Sequence, residues 1–233
     1  MNNLNLCVLS CLLLMFANIA SARQTADINE LEKQIEQGLD VNSRDENGDT
    51  LLYWVLANSG NLQAVKMLVD AGADVNAPSA STGMTPLVYA TTMADRIRSA
   101  ALEEFNSKTS PMERQIAEAT LKKEISQKLT YARAIVEFLV DSGADVNQET
   151  PYGTPLMSAA TSDWNADIID YLLQSGAEIN QQDHNGRTAL FYAAVNDSKE
   201  VAIQLLSAGA DINIKDNDGK TYMEVTPEEW EKE

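Results

Sequence analysis

"NGRTALFYAAVNDSKEVAIQLLSAGADIN", residues Asn185–Asn213, is the stretch that decides the fold. It opens on a polar, Gly-containing turn. Thr188 follows, a residue that caps helices well, and then a short apolar run, "ALFYAAV". "KEVAIQLLSA" carries its apolar residues at helical spacing, and Gly209 closes it. A glycine there accepts the left-handed conformation that a β-carbon disfavours. The last five residues, "GADIN", form a tag that can be sought elsewhere in the chain.

The tag recurs. Gly38 opens "GLDVN", Gly72 and Gly143 open "GADVN", and Gly176 opens "GAEIN", so the five glycines stand at intervals of 34, 71, 33 and 33 residues. Helical patterns precede them, with Ala64, Met67 and Leu68 on one face in one case and Ile168, Tyr171 and Leu172 in another. Polar turns follow, such as "SRDENGD" and "QQDHNGR". A threonine and a short apolar helix come next: "TLLYWVLA", "TPLVYATT", "TPLMSAAT" and "TALFYAAV". Proline just inside two of these is a start signal. A fixed period of this length marks an array of helix pairs, each burying its apolar face against the next.

The period and these residues resemble the ankyrin repeat. The motif is nearly complete in Asn185–Asn213 and close in "NGDTLLYWVLANSGNLQAVKMLVDAGADVN", Asn47–Asn76, and the resemblance covers the chain after about Asp27. It implies an all-α ankyrin-repeat solenoid with four full repeats at about 44–77, 78–148, 149–181 and 182–214. Two capping half repeats flank them. Asp27 and Glu30 form a capping box that opens the first, "INELEKQIEQ". "DNDGKTYMEVTPEEWEKE" begins a fifth repeat and stops; Thr226-Pro227-Glu228-Glu229 starts a short closing helix, and Trp230 is expected over the end of the core. The chain departs from the family's T-P-L-H. Tyr53, Val88, Met157 and Phe191 hold the histidine position, and Leu51 and Ala189 replace two prolines. The expected consequence is a lost side-chain-to-loop hydrogen bond, looser loops and added packing.

The 71-residue interval needs a filling. Thr85 to Ala144 spans 59 residues against 23 from Thr154 to Ala177, an excess of 36 inside the second repeat. A structureless loop of that length is unfavourable in a compact domain. The segment has no glycine between Met93 and Val140, and its one proline, Pro111, follows Ser110 at a helix start. It predicts a helical-hairpin insertion at about 91–130. The two helices of the repeat are lengthened by about 16 residues each, or about 24 Å, and joined near 106–110. Ile97, Ala101 and Phe105 are expected to pack on Ile116, Thr120 and the Lys123 stem. Thr91–Thr130 holds seven basic and six acidic residues, whereas the remainder of the chain holds ten and twenty-nine.

Residues 1–22, "MNNLNLCVLSCLLLMFANIASA", contain no charged side chain, an apolar stretch from about Leu6 to Ala17, and small residues before Arg23. They read as a signal peptide cleaved after Ala22, leaving 23–233 as the ankyrin-repeat domain. The stretch is short for an uncleaved membrane span, which takes about 18 residues or more. Both cysteines, Cys7 and Cys11, lie within it, so the mature chain has no disulfide or thiolate. This composition fits a bacterial periplasm or the bacterial exterior. The net charge of −18 falls on the mature part and disfavours nucleic acid and anionic lipid as ligands.

With one histidine, His184, and no mature cysteine, no thiol–imidazole pair and no His/Cys metal cluster can be assembled, and nothing singles out a pair of carboxylates for a carboxylate-only enzyme, so no catalysis, cofactor or metal is expected. "DNDG", Asp216–Gly219, has calcium-loop composition but lacks ligands at Ile214 and Val225, and reads as a repeat turn. The resemblance implies partner binding through turn tips and the concave face of the first helices. The matching positions are Arg44, Glu46 and Asp49; Trp54 and Asn58; Tyr89; Tyr152, Asp163 and Trp164; and His184, Arg187 and Tyr192. Trp54, Tyr89 and Tyr192 recur at one helix position, where they are either an exposed stripe of anchors or packing between repeats. The expected partner is a protein with a basic patch. Neutralising partners of secreted toxins and accessory factors for envelope enzymes are the roles that similar exported proteins suggest. The alternative is a self-assembling protein that uses the helical arm.

Overall fold

The computed structural model describes residues 28–107, 110–227 and 230. The expected signal segment 1–22, the Asp27 cap, residues 108–109 of the hairpin turn and Glu228–Glu229 of the closing helix lie outside them. The chain divides into two compact units, Met1–Pro86 and Leu87–Glu233. All regular elements among the described residues are helical, with two isolated bridges, Arg44 to Thr50 and Thr150 to Gly153.

The first unit contains α1 (Ile28–Glu36), α2 (Leu51–Asn58) and α3 (Leu62–Asp70). α1 is amphipathic: Leu31 is buried, while Glu30 and Lys33 pair at the surface, 3.5 Å apart. Thr50 caps α2 by accepting the Tyr53 N–H, and Asn61 caps α3 by accepting from Gln63 and Ala64. Leu52, Leu56, Val65 and Leu68 form the buried centre between α2 and α3.

The second unit begins within α4 (Pro86–Thr91). α5 (Met93–Ser107), α6 (Pro111–Asp141), α7 (Pro155–Ala159), α8 (Ala166–Gln174), α9 (Ala189–Val195) and α10 (Lys199–Ser207) follow, with 3-10 turns at Asp163–Asn165 and Tyr222–Glu224. Leu87, Ile135, Leu139, Leu156, Ile169, Leu172, Leu190 and Phe191 are its largest wholly buried aliphatic and aromatic side chains. α5 and α6 pack against each other. The 31-residue α6 is continuous and about 46 Å long at 1.5 Å per residue. The first arm is not continuous with its repeat helix, contrary to expectation. Thr91 and Thr92 turn their hydroxyls back onto the carbonyls of Val88 and Tyr89, a back-bonding that bends helices, and α5 restarts at Met93. Ala101 is buried, Ile97 and Phe105 are half-buried and Lys123 is exposed. The Ile116 and Thr120 side chains lie outside the described set.

The final asparagine of the repeated tag acts as a rung between neighbours. Asn42 donates to Gly72 O at 2.9 Å and accepts the Asp74 N–H at 2.8 Å. Asn147 does the same with Gly176 O and the Glu178 N–H, and Asn180 accepts the Asp211 N–H. These bonds hold successive turns at the fixed spacing that the sequence period encodes. Towards the C-terminus Glu224 Oε2 accepts from the Thr221 N–H and hydroxyl, and the half-buried Trp230 donates its indole N–H to Asp197 at 2.7 Å.

The loops are not uniformly loosened at the departed histidine positions. The Tyr53 hydroxyl meets Thr82 Oγ1 at 2.9 Å, and Met157 Sδ accepts the Thr154 N–H at 3.3 Å. A hydroxyl or a thioether there still reaches the loop, so two of the four substitutions retain a side-chain-to-loop bond.

Candidate protein-binding site

Three of the turn tips are built around one carboxylate each, whereas the tip at Tyr152 is held by Thr150, whose hydroxyl donates to Gly153 O and accepts the Tyr152 N–H. Asp45 Oδ1 accepts the N–H groups of Asn47 and Asp49, Asp183 Oδ1 those of Asn185 and Arg187, and Asp216 Oδ1 those of Asp218 and Lys220. Each carboxylate is thus committed to its own backbone, and Asp216 belongs to a repeat turn as expected. Burial pushes Asp183 upward, but the N–H donors and the Tyr192 hydroxyl outweigh it and hold the carboxyl below its usual range. Burial, and then the bond to Asp183, push the Tyr192 hydroxyl up to about 12.

In the first unit Arg44 is exposed but spans two loops, donating to Gly48 O at 2.6 Å and Pro78 O at 2.8 Å. Asp49 accepts from the Ser79 and Ser81 hydroxyls. Glu46 is exposed at the tip, Trp54 is half-buried, and the exposed Asn58 donates to Trp54 O. In the second unit Tyr152 is 47% exposed and His184 is exposed, its backbone N–H on Glu149. Arg187 is half-buried.

The aromatic positions divide. Tyr89 is 5% exposed, with the Arg96 guanidinium on its hydroxyl and 5.0 Å from its ring centre. Tyr192 is half-buried and tied to Asp183 at 2.9 Å. For these two, packing inside the unit describes the geometry. Contacts within their own repeats, to Arg96 and to Asp183, take up the surface that a contact stripe requires.

Asp163 and Trp164 occupy neither a turn tip nor a first helix. They sit on the 3-10 turn that links α7 to α8. Asn165 is wholly buried and donates to Thr91 O at 3.2 Å and Ala159 O at 2.9 Å. Asp163 accepts the Val201 N–H at 3.0 Å, at the start of α10. Trp164, between two anchored neighbours, is 50% exposed. It faces α6 across a cavity of about 610 Å³. Arg133 of α6 bridges that space, with Nε 2.7 Å from Glu137 and Nη1 3.2 Å from Asp167 of α8. Reasoning from the sequence missed Arg133, Glu137 and Asp167. The four-residue spacing of Arg133 and Glu137 on a helix was a visible signal for that pair, but the approach of α8 was not.

Burial, and then its hydrogen bond with Glu200, raise Asp163 from 3.8 to about 6. A carboxyl raised on folding contributes stability that is complete below its unfolded value and is lost as pH rises through its folded value. Glu200, held below its ordinary value by Asp163, acts only at lower pH. Asp163→Asn keeps an acceptor for Val201 and removes the charge. The variant should therefore gain on the wild type as pH is raised from about 4.5 to about 7, and level off above that. Thermal melts across this range check it, and a flat difference would contradict it.

Among the described residues no group of three or more His, Cys, Asp or Glu is placed to hold a metal ion, and no helix is long and apolar enough to cross a membrane. The family model for ankyrin repeats (3 copies) matches residues 16–102 and 127–216. The chain belongs to the ankyrin repeat family, whose members are generally non-catalytic modules that bind other proteins. A Fowlpox virus (strain NVSL) protein named as an ankyrin repeat protein is 37% identical over 57 residues. That segment is 24% of this chain and 11% of the viral protein.

Proposed function

We propose that this chain is an exported bacterial ankyrin-repeat protein that binds a protein with a basic patch in the periplasm or outside the cell. In this reading it serves as the neutralising partner of a toxin or as an accessory factor for an envelope enzyme, and it catalyses nothing itself. The observation that carries the reading is the combination of rigid turns with charge. Tips locked by Asp45, Thr150 and Asp183 present Glu46, Tyr152 and His184 at the surface of a chain whose net charge is −18. Such a surface accelerates encounter with a cationic partner, and the acceleration falls with salt. The uncharged segment 1–22 supports export.

Expression in a bacterial host with intact-mass analysis of the periplasmic fraction should give a species beginning at Arg23. A membrane-bound species that retains Met1–Ala22 would refute export. With the partner captured from the native envelope, Glu46→Lys should slow association while melting stays normal, and raised salt should slow it for both proteins. Association rates insensitive to both changes would refute the electrostatic reading.

A further inference from the structure

The cavity beside Trp164 is not part of the turn tips. Ala94, Ala132 and Ile168 form a buried apolar floor, Ile125 and Leu129 line one side, and the half-exposed Trp164 stands opposite. Its volume of about 610 Å³ suits one or two inserted side chains and lies within the usual range of ligand pockets, about 300–1,000 Å³. An indole held by anchored neighbours on both sides loses little freedom when covered, which favours a binding anchor. The charged residues of the lining are Glu137, Asp167 and Arg133, beside the neutral Ser126 and Thr130, and Arg133 itself shows what the two carboxylates recognise, since its guanidinium lies across them. The three side chains are 44%, 35% and 75% exposed. Exposed pairs of this kind are weak, so an incoming cation can displace Arg133.

We infer that this cavity docks a basic segment of a partner protein, one aliphatic or aromatic side chain resting on Trp164 while an adjacent arginine takes the Glu137 and Asp167 carboxylates in place of Arg133. The inference rests on the protein-binding reading above and gives it a site and a chemistry. The apolar floor selects the anchor, and the two carboxylates select the guanidinium, which matches a pair of oxygens better than an ammonium does. Arg133 acts as an internal competitor that keeps the carboxylates paired while the cavity is empty.

The test uses the mature protein and fluorescein-labelled twelve-residue peptides that place one Leu or Trp beside arginines. Matched peptides carry lysine, or glutamate, in place of arginine. Fluorescence polarisation should show binding of the arginine set, weaker binding of the lysine set and none of the glutamate set. Trp164→Ala should weaken binding by about 10–100-fold, Glu137→Gln with Asp167→Asn by about 10-fold, and Arg133→Gln should tighten it by about 3–10-fold. Ile203→Ala, at an exposed position on α10 outside the cavity lining, should leave it unchanged. Wild-type affinity in Trp164→Ala, equal binding of the glutamate set, or no binding of any arginine peptide would each overturn the inference. So would a dimer in sedimentation that becomes monomeric in Trp164→Ala, because the occupant would then be a second copy. If the envelope partner still binds Trp164→Ala but not a turn-tip variant, the site is wrong and the protein-binding reading stands. If neither variant changes its binding, the cavity and the turn tips are both excluded as the partner's site.

Discussion

Replacing Phe191 by alanine lowers the stability of the folded chain by about 3–5 kcal/mol. Phe191 is 2% exposed on α9, among Leu190, Ala193 and Ala194, which are 0–1% exposed. α9 packs on α7, on α10 and on the 3-10 turn at Tyr222–Glu224, so the helix that carries the ring has neighbours on both sides of its repeat. Close-packed surroundings collapse only partly around a deletion of this size, and the remaining cavity adds to the lost transfer free energy. A domain of this kind has about 5–15 kcal/mol in total. In an array whose stability is largely nearest-neighbour, the C-terminal repeats should unravel first. Urea titration followed by circular dichroism should therefore show an earlier midpoint and a broadened or split transition. Phe191→Leu should cost about 1–1.5 kcal/mol. A loss below about 1 kcal/mol in the alanine variant would show that the ring does not organise this core.

Gly186→Ala should cost about 2–4 kcal/mol by a different route. Gly186 has φ of 76°, a left-handed conformation that costs a residue with a β-carbon about 1–2 kcal/mol. A β-carbon there would stand 2.8 Å from Asn217 Oδ1 and 3.0 Å from Asn217 N, in the next turn. The side-chain oxygen can rotate away, but the backbone nitrogen cannot move without loosening its 2.9 Å bond to Asn185 O. The turn at Asp216 must then shift outward, adding about 1–3 kcal/mol of strain. Hydrogen exchange should show lost protection at Asn217 and in the turn that follows, while α2 and α3 stay protected. Unchanged exchange at Asn217 would mean that the two turns are not in mechanical contact.

How far the sequence carries is visible in these same residues. Gly186 belongs to "NGR" and Gly209 to "GADIN", and both are legible because the backbone conformation they need is nearly exclusive to glycine. The asparagine rungs, Asn42, Asn147 and Asn180, are legible as a repeated letter, although their task is not. The bend at Thr91 and Thr92 could have been anticipated from two adjacent threonines that compete for backbone carbonyls, yet uniform helical composition concealed it. Among the candidate site residues, Glu46, Tyr152 and His184 stand at exposed turn tips, where repeat alignment puts them. Tyr89 shared a helix position with Trp54 and Tyr192, and alignment cannot separate a contact stripe from packing at such a position. Its burial beneath Arg96 depends on the helix added after Thr92, which no other repeat possesses.

By itself the sequence determined the ankyrin repeat, its period and the helical character of the long segment between Thr91 and Asp141. Those properties are written in local rules: helical spacing of apolar residues, threonine caps and glycines with positive φ. The tertiary structure alone decided which aromatics stay open and which charges meet. Trp164 remains half-exposed because Asn165 is buried beside it and Asp163 is held at α10. Arg133 meets Asp167, 34 residues away in sequence, because α6 packs on α8. Exposure and charge pairing follow from the distances between elements, which no pattern within a single repeat encodes.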